Sequence, residues 1–172
     1  TAVIPLGVYR RSDGSIGVHQ YGELYKPTGA PTVDEIGGYL TGWHKRAPFR
    51  AIEPDPVGAT STVAASLSAL GLPVRGETDR TSGLFKPVPL TRDAGERRSN
   101  QAMYLENNWL TINAECRYSI KEFTGYRWRE SVDPNSRERY RIATPIDNHG
   151  DAMDARGAAL VAVYYYEMNR GY

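Results

Sequence analysis

The sequence predicts an α/β fold in which helices flank a mixed sheet, and three observations carry that expectation. A β-rich opening, Ala2 to Arg10, is followed by Ser12-Asp13-Gly14 and a second alternating stretch, Ser15 to Tyr25, so the pair reads as a β-hairpin. Strand-like and helix-like segments then alternate through Arg75, the order that lays crossovers onto one sheet. The chain closes on a long amphipathic helix, about Asp151 to Met168, with Met153, Leu160, Val161, Tyr164 and Met168 on its apolar face.

Between these ends, each element has its own signal. Residues 26–31 are a Pro/Gly loop. Thr32-Val33-Asp34-Glu35 has capping-box spacing: the Thr32 hydroxyl accepts from the backbone three residues on, and Glu35 reaches back. Ile36, Leu40 and Trp43 recur at helical spacing, which extends that helix to about Lys45. Phe49 to Glu53 is too short for a helix and reads as a buried strand ending in Pro54-Asp55-Pro56. A helix from about Ser61 to Leu70 follows, with Val63, Leu67 and Leu70 on one face and Gly71 as its C-cap. Leu72 to Arg75 starts another strand. Pro87 and Pro89 leave any helix in 82–90 short or broken. Residues 91–99 read as a charged, mobile loop. Met103–Leu105 and Trp109–Ile112 flank Glu106-Asn107-Asn108 as an extra β-hairpin, Asn113 caps a helix to about Phe123, and residues 131–141 read as a polar loop. There is no internal repeat, and 1–172 is expected to be a single domain.

Composition sets the class. Hydrophobic residues make up 40% and charged residues 24% of the 172, the balance of a globular protein. No apolar run approaches the roughly 20 residues that cross a bilayer, so no membrane role is expected. The opening shows no secretory-signal pattern, and Thr1-Ala2-Val3-Ile4, already apolar, reads as the interior of a longer protein. The single cysteine, Cys116, excludes a disulfide framework and a cysteine-cluster zinc site; on a helix beside Glu115 it is expected to be packed. The net charge of +1 gives no argument for a polyanionic partner, although segments 75–98 and 117–141 carry a modest excess of Lys and Arg.

Two places carry chemistry. Asp55 follows the Phe49–Glu53 strand, and in open α/β sheets sites form at the carboxyl ends of strands. An Asp between prolines is also a common start to a loop. The second place is Pro145-Ile146-Asp147-Asn148-His149-Gly150-Asp151-Ala152-Met153-Asp154-Ala155-Arg156, where three carboxylates collect as a loop enters the last helix. Asp151 and Asp154 are three apart and share a face. Acidic residues also favour a helix N-terminus through its dipole, so structure alone accounts for some of them. Oxygen donors in this number suit Mg²⁺ or Mn²⁺. His149 is a ligand, a nucleic-acid contact or surface; His19 and His44 are isolated and read as structural. Trp109 and Trp128 read as core or edge aromatics, with a nucleic-acid-facing position open to either. A Gly-x-Ser-x-Gly elbow, a Gly-rich phosphate loop and a His-Glu-x-x-His motif are all absent.

In order, these pieces resemble the C-terminal nuclease domain of phage terminase large subunits. Thr1-Ala2-Val3 resembles the later part of that family's first strand, just past an Asp-x-Gly motif, and the hairpin, the Thr32-capped helix and Asp55-Pro56 follow in the family's order. Leu70-Gly71-Leu72-Pro73-Val74 resembles the helix exit and third strand, and Ser82-Gly83-Leu84-Phe85 its Gly-Ile segment. The stretch from Cys116 to Phe123-Thr124-Gly125-Tyr126-Arg127-Trp128 is similar to its helix and Tyr-x-Trp segment. Asn148-His149-Gly150-Asp151-Ala152-Met153-Asp154-Ala155 is similar to the signature Asp-His-Ala-Met-Asp-Ala-Leu-Arg-Tyr.

The resemblance implies an RNase H-like mixed central sheet flanked by helices. It implies an endonuclease that cuts concatemeric DNA during genome packaging with two Mg²⁺ or Mn²⁺ ions. Asp55 matches the second catalytic carboxylate. Asp151 is favoured as the third, Asp154 as a second ligand or support, and Asp147 as third choice. Lys86, Arg92, Arg97 and Arg98, with His149, are the candidate DNA contacts. Implied partners are double-stranded DNA, the terminase ATPase domain, the small terminase subunit and the portal, in the host cytoplasm. Two departures stand out. Gly150-Asp151 interrupts the signature and Arg156-Gly157 replaces its Leu-Arg; the first-strand Asp would precede Thr1, so weak activity is expected of this chain alone. A junction resolvase, or a non-catalytic module that binds DNA or the portal, would share the fold.

Overall fold

A computed structural model describes residues 2–26, 28–54, 60–90, 94–125, 128–145 and 151–168. The opening forms β1 (Ala2–Val3), β2 (Leu6–Arg10), β3 (Ile16–Gln20) and β4 (Leu24–Tyr25). β2 and β3 make the expected hairpin, in register from Leu6↔Gln20 to Arg10↔Ile16, while β1 pairs with β4. The expected single strands over 2–10 and 15–25 are therefore each divided. The first breaks at Ile4-Pro5, where proline has no N–H to give a ladder. The second breaks around Gly22, which lies under the Tyr39 hydroxyl and the Trp43 ring. Gly17, opposite Tyr9, has no room for a Cβ because the Tyr9 ring lies over it.

Helix α1 (Val33–Arg46) carries the full capping box: Thr32 accepts from Glu35 N–H at 3.2 Å, and Glu35 accepts from Thr32 N–H at 2.8 Å. Helix α2 (Thr60–Ala69) packs on α1. The expected strands 49–53 and 72–75 reduce to one parallel bridge, Ile52↔Val74, in which Ile52 N–H donates to Pro73 O and Arg75 N–H to Ile52 O. The chain extends instead into β5 (Gly76–Thr78), which pairs antiparallel with β6 (Phe85–Pro87). Pro87 is thus the last residue of an edge strand and Pro89 lies just beyond it, with no helix between residues 82 and 90.

Three further expectations are corrected. Residues 94–99 are not loop but the start of α3 (Ala94–Glu106), which also contains Met103–Leu105. The proposed hairpin there does not exist: β7 (Leu110–Ile112) runs parallel to β3, paired Val18↔Leu110 to Gln20↔Ile112. Asn107 and Asn108 close the helix. Asn108 takes φ 54, and Trp109 N–H returns to Tyr104 O at 2.8 Å. The left-handed tolerance of Asn serves a helix C-terminus as well as a hairpin turn, so the local signal was ambiguous. After α4 (Arg117–Gly125), the polar stretch 131–141 is loop only in its middle, 133–138, and its ends are strand: β8 (Trp128–Val132) pairs with β9 (Arg139–Pro145) as a separate antiparallel ribbon.

The last helix, α5 (Asp151–Val163), ends in a π-helical turn, Tyr164–Met168, matching the expected span. Ile16, Val18, Tyr104, Leu110, Leu160 and Val163 form one core between the β2–β3–β7 sheet and helices α3 and α5. Ile36, Leu40, Leu67 and Leu72 form a second between α1 and α2. The sheet is mixed, as expected, but among the described residues it has three strands, with the other pairs standing apart.

Candidate functional site

The described part of the acidic segment sits on the first turns of α5. Asp151 and Asp154 lie three residues apart there. The turn is fastened from α4, where Glu122 Oε2 accepts from Met153 N–H at 3.1 Å. That satisfies one of the donors a helix N-terminus leaves open. Asp154 is exposed, and its Oδ1 is 4.0 Å from Nη2 of Arg97 on α3. A predicted DNA contact and a predicted carboxylate are thus adjacent, and Arg97 itself is only 9% exposed.

Directly below them lies a buried polar group for which the sequence offered only the irregular Arg156-Gly157. Arg156 is 0% exposed. Its Nε donates to Gln20 Oε1 of β3 at 2.8 Å, and its Nη1 to Gln101 Oε1 of α3 at 3.3 Å. Its guanidinium lies 4.2 Å from the centre of the Phe123 ring on α4. Burial pulls its pKa down to about 10, opposed by Glu122 and Glu23, so it remains a cation at neutral pH. Gln20, itself fully buried, donates to Ser119 Oγ at 2.7 Å. Glu23 closes the set by accepting from Tyr118 N–H at 2.9 Å and Ser119 N–H at 2.8 Å at the start of α4. Asn113 was expected to cap that helix. Its Oδ1 accepts from Glu115 N–H in the preceding turn, and the cap proper comes from Glu23, far away in sequence.

Gly157 explains the other half of the irregularity. A Cβ there would stand 3.0 Å from Arg97 Cβ and 3.3 Å from its carbonyl oxygen, so α3 and α5 approach through a bare backbone.

The remaining candidates divide by position. Asp55, Asp147, His149 and Arg92 lie outside the described residues. Lys86 is exposed on β6 and Arg98 half-buried on α3. Glu53, two residues before Asp55, is engaged: Oε2 accepts from Leu90 N–H at 3.1 Å and Oε1 lies 3.3 Å from Arg75 Nε. Burial holds its carboxyl above the ordinary range despite these partners. His19 meets the Thr111 hydroxyl at 2.8 Å and His44 accepts from Phe49 N–H at 2.9 Å, both structural as read. Cys116 is buried, and burial pushes its thiol up. Trp109 packs edge-on against Tyr104 in the first core. Among the described residues, no three His, Cys, Asp or Glu side chains gather to hold a metal.

A hairpin joined in parallel to a later strand, backed by a terminal helix that starts in carboxylates, defines a mixed α/β fold. Solved structures bear this out. The chain is similar to the large terminase nuclease from thermophilic phage G20c with bound cobalt, at 15% identity and a TM-score of 0.53. It is also similar to the same nuclease with bound magnesium, at 13% identity and a TM-score of 0.54. Each match covers 93% of this chain and 81% of the other, and at such identity it is the fold that is shared. No protein-family model and no curated protein sequence matches.

Proposed function

We propose that the chain is the metal-dependent endonuclease module of a viral genome-packaging terminase, folded as a single domain over 1–172 and acting on double-stranded DNA. The observation that supports this most is the coincidence of fold and acidic segment. Asp151 and Asp154 begin the helix that backs the mixed sheet, in a chain whose fold follows a large terminase nuclease over nearly its whole length. Asp55, Asp151 and Asp154, with Asp147 as a further donor, offer only carboxylate oxygens, and that donor set fits Mg²⁺ or Mn²⁺. Bound cations would supply an activated water and stabilise the leaving oxygen.

The chain's own part is to hold the carboxylates and to bring phosphate to them. Asp55, Asp151 and Asp154 are the proposed catalytic set. Lys86, Arg92, Arg98 and His149 are proposed phosphate contacts, which position DNA without reading its sequence. Arg97, nearly covered and beside Asp154, is better suited to steadying that carboxylate. The ATPase domain, small subunit and portal are the proposed partners, in the cytoplasm of the host.

The proximity of Arg97 to Asp154 also favours a second reading, a module that binds DNA without cutting it, because the guanidinium offers that carboxylate a cation of its own. Nicking of supercoiled plasmid in Mn²⁺ separates the two. The nuclease reading expects slow, chelator-sensitive nicking that Asp55→Ala and Asp151→Ala each abolish while DNA binding persists. Nicking indifferent to both substitutions rules out the assigned site. DNA binding with no nicking selects the second reading.

A further inference from the structure

Arg156 is a full charge buried at 0% exposure, and such a group is costly unless its partners compensate it. It cannot reach phosphate from that position. What it does reach is three other elements at once. Nε ends on β3 through Gln20, Nη1 on α3 through Gln101, and the face of the guanidinium rests on α4 through Phe123. A guanidinium is a rigid planar fork, so two bonds to acceptors on two different elements fix rotation as well as distance. Glu122 of α4 ties Met153 N–H in the turn before, and Arg97 of α3 meets Asp154 in the same turn. Asp154 is two residues from Arg156 and Asp151 five. A helix turns 100° per residue. Any slip of α5 about its axis would therefore displace the Asp154 carboxylate and the backbone that carries Asp151.

We propose that Arg156 is a positioning residue: by locking the first turns of α5 to β3, α3 and α4, it sets where Asp151 and Asp154 are presented to a divalent cation. This rests on the nuclease reading above. It also accounts for the departure from the Leu-Arg of the resembled signature. Leucine at 156 would fill space without fixing orientation and would strand the polar ends of Gln20 and Gln101 in the interior.

The test uses Arg156→Lys, which keeps charge but loses the fork, Arg156→Met, which keeps bulk, and the milder Gln101→Leu. Circular dichroism and thermal unfolding identify the temperature at which each variant is folded. At that temperature, free Mn²⁺ is titrated by electron paramagnetic resonance, and amide exchange is followed across 151–156 and across β3. The proposal expects both Arg156 variants to weaken Mn²⁺ binding by roughly 10-fold or more, the size typical of groups that orient metal ligands. Gln101→Leu should act in the same direction by a smaller factor, with protection lost at 151–156 and kept in β3. Mn²⁺ affinity within twofold of the unsubstituted chain in folded variants overturns the proposal and leaves Arg156 a core strut. If the Arg156 variants do not fold, Gln101→Leu decides by the same criterion. Failure of the unsubstituted chain to take up Mn²⁺ overturns the nuclease reading and this inference with it, whereas uptake that the variants retain overturns this inference alone.

Discussion

Two glycines inside helices should answer a methyl group in opposite ways. Gly38 in α1 has open space around its missing Cβ. Gly38→Ala therefore gains helix propensity alone, and denaturant unfolding should find it more stable by about 0.8–1 kcal/mol. A methyl group on Gly157 would stand 3.3 Å from the Arg97 carbonyl oxygen, and backbone in a packed helix cannot swing aside. Gly157→Ala should lose stability despite the same propensity gain, because overpacking of about 1–3 kcal/mol outweighs it. Neither outcome was legible in the sequence, where both residues are simply glycines in helical stretches. The same holds for Arg156. A charged residue two places from Asp154 reads as surface, and only the convergence of Gln20, Gln101 and Phe123 from three distant segments makes it interior.

At the scale of elements, three hairpins share one turn device. Asp13 accepts from Ser15 N–H, Asp79 from Thr81 and Ser82 N–H, and Asp133 from Asn135 and Ser136 N–H. Hydrogen bonds to the charged form hold all three carboxyls below the ordinary value of 3.8. A depressed acid contributes stability above its unfolded pKa and loses it as pH falls through the folded value. The turns should therefore loosen only below about pH 3.8. Asp79→Ala should cost stability at pH 7 yet converge with the unsubstituted chain in strong acid, as urea midpoints taken across pH would reveal. Helix α1 follows the same sign, since Glu35 is lowered by Lys26 and Thr32. Thr32→Ala removes the cap and should cost about 1 kcal/mol at neutral pH. This helix was legible because its signal is local: cap, box and apolar spacing lie within a dozen residues. Helix α3 was not. Its inner face is Arg97, Gln101 and Tyr104, so the apolar period that marks a buried helix is missing. The β8–β9 ribbon escaped for a related reason: Val132 and Arg139, the strand residues next to its turn, are both exposed, so that end carries no apolar alternation.

Across the whole molecule, the π-helical turn joins the two cores. Arg75, beside the Ile52–Val74 bridge, donates to the Tyr166 hydroxyl at 2.8 Å, Arg50 stacks on the Tyr166 ring at 4.8 Å, and Arg50 also pairs with Glu167. Tyr166→Phe keeps the ring and loses one hydrogen bond, so a loss of about 1 kcal/mol is expected. Tyr166→Ala loses the stacking too, and calorimetry should find the larger drop in that variant. The opening hairpin, helices α1 and α2 and the acidic start of the last helix could be read from the sequence, because their signals are local. The number of strands that share a sheet could not. Parallel pairing of β3 with β7 joins segments about ninety residues apart, and nothing local announces it.

The Arg156 cluster also has a consequence for how descent is traced. A buried guanidinium with two glutamine acceptors, above a glycine that admits the neighbouring helix, cannot change one letter at a time. Replace Arg156 with an aliphatic residue and Gln20 and Gln101 become liabilities; enlarge Gly157 and the α3 backbone must retreat. Positions 20, 101, 156 and 157 are therefore expected to vary as one unit among homologues, with apolar residues at 20 and 101 wherever leucine stands at 156.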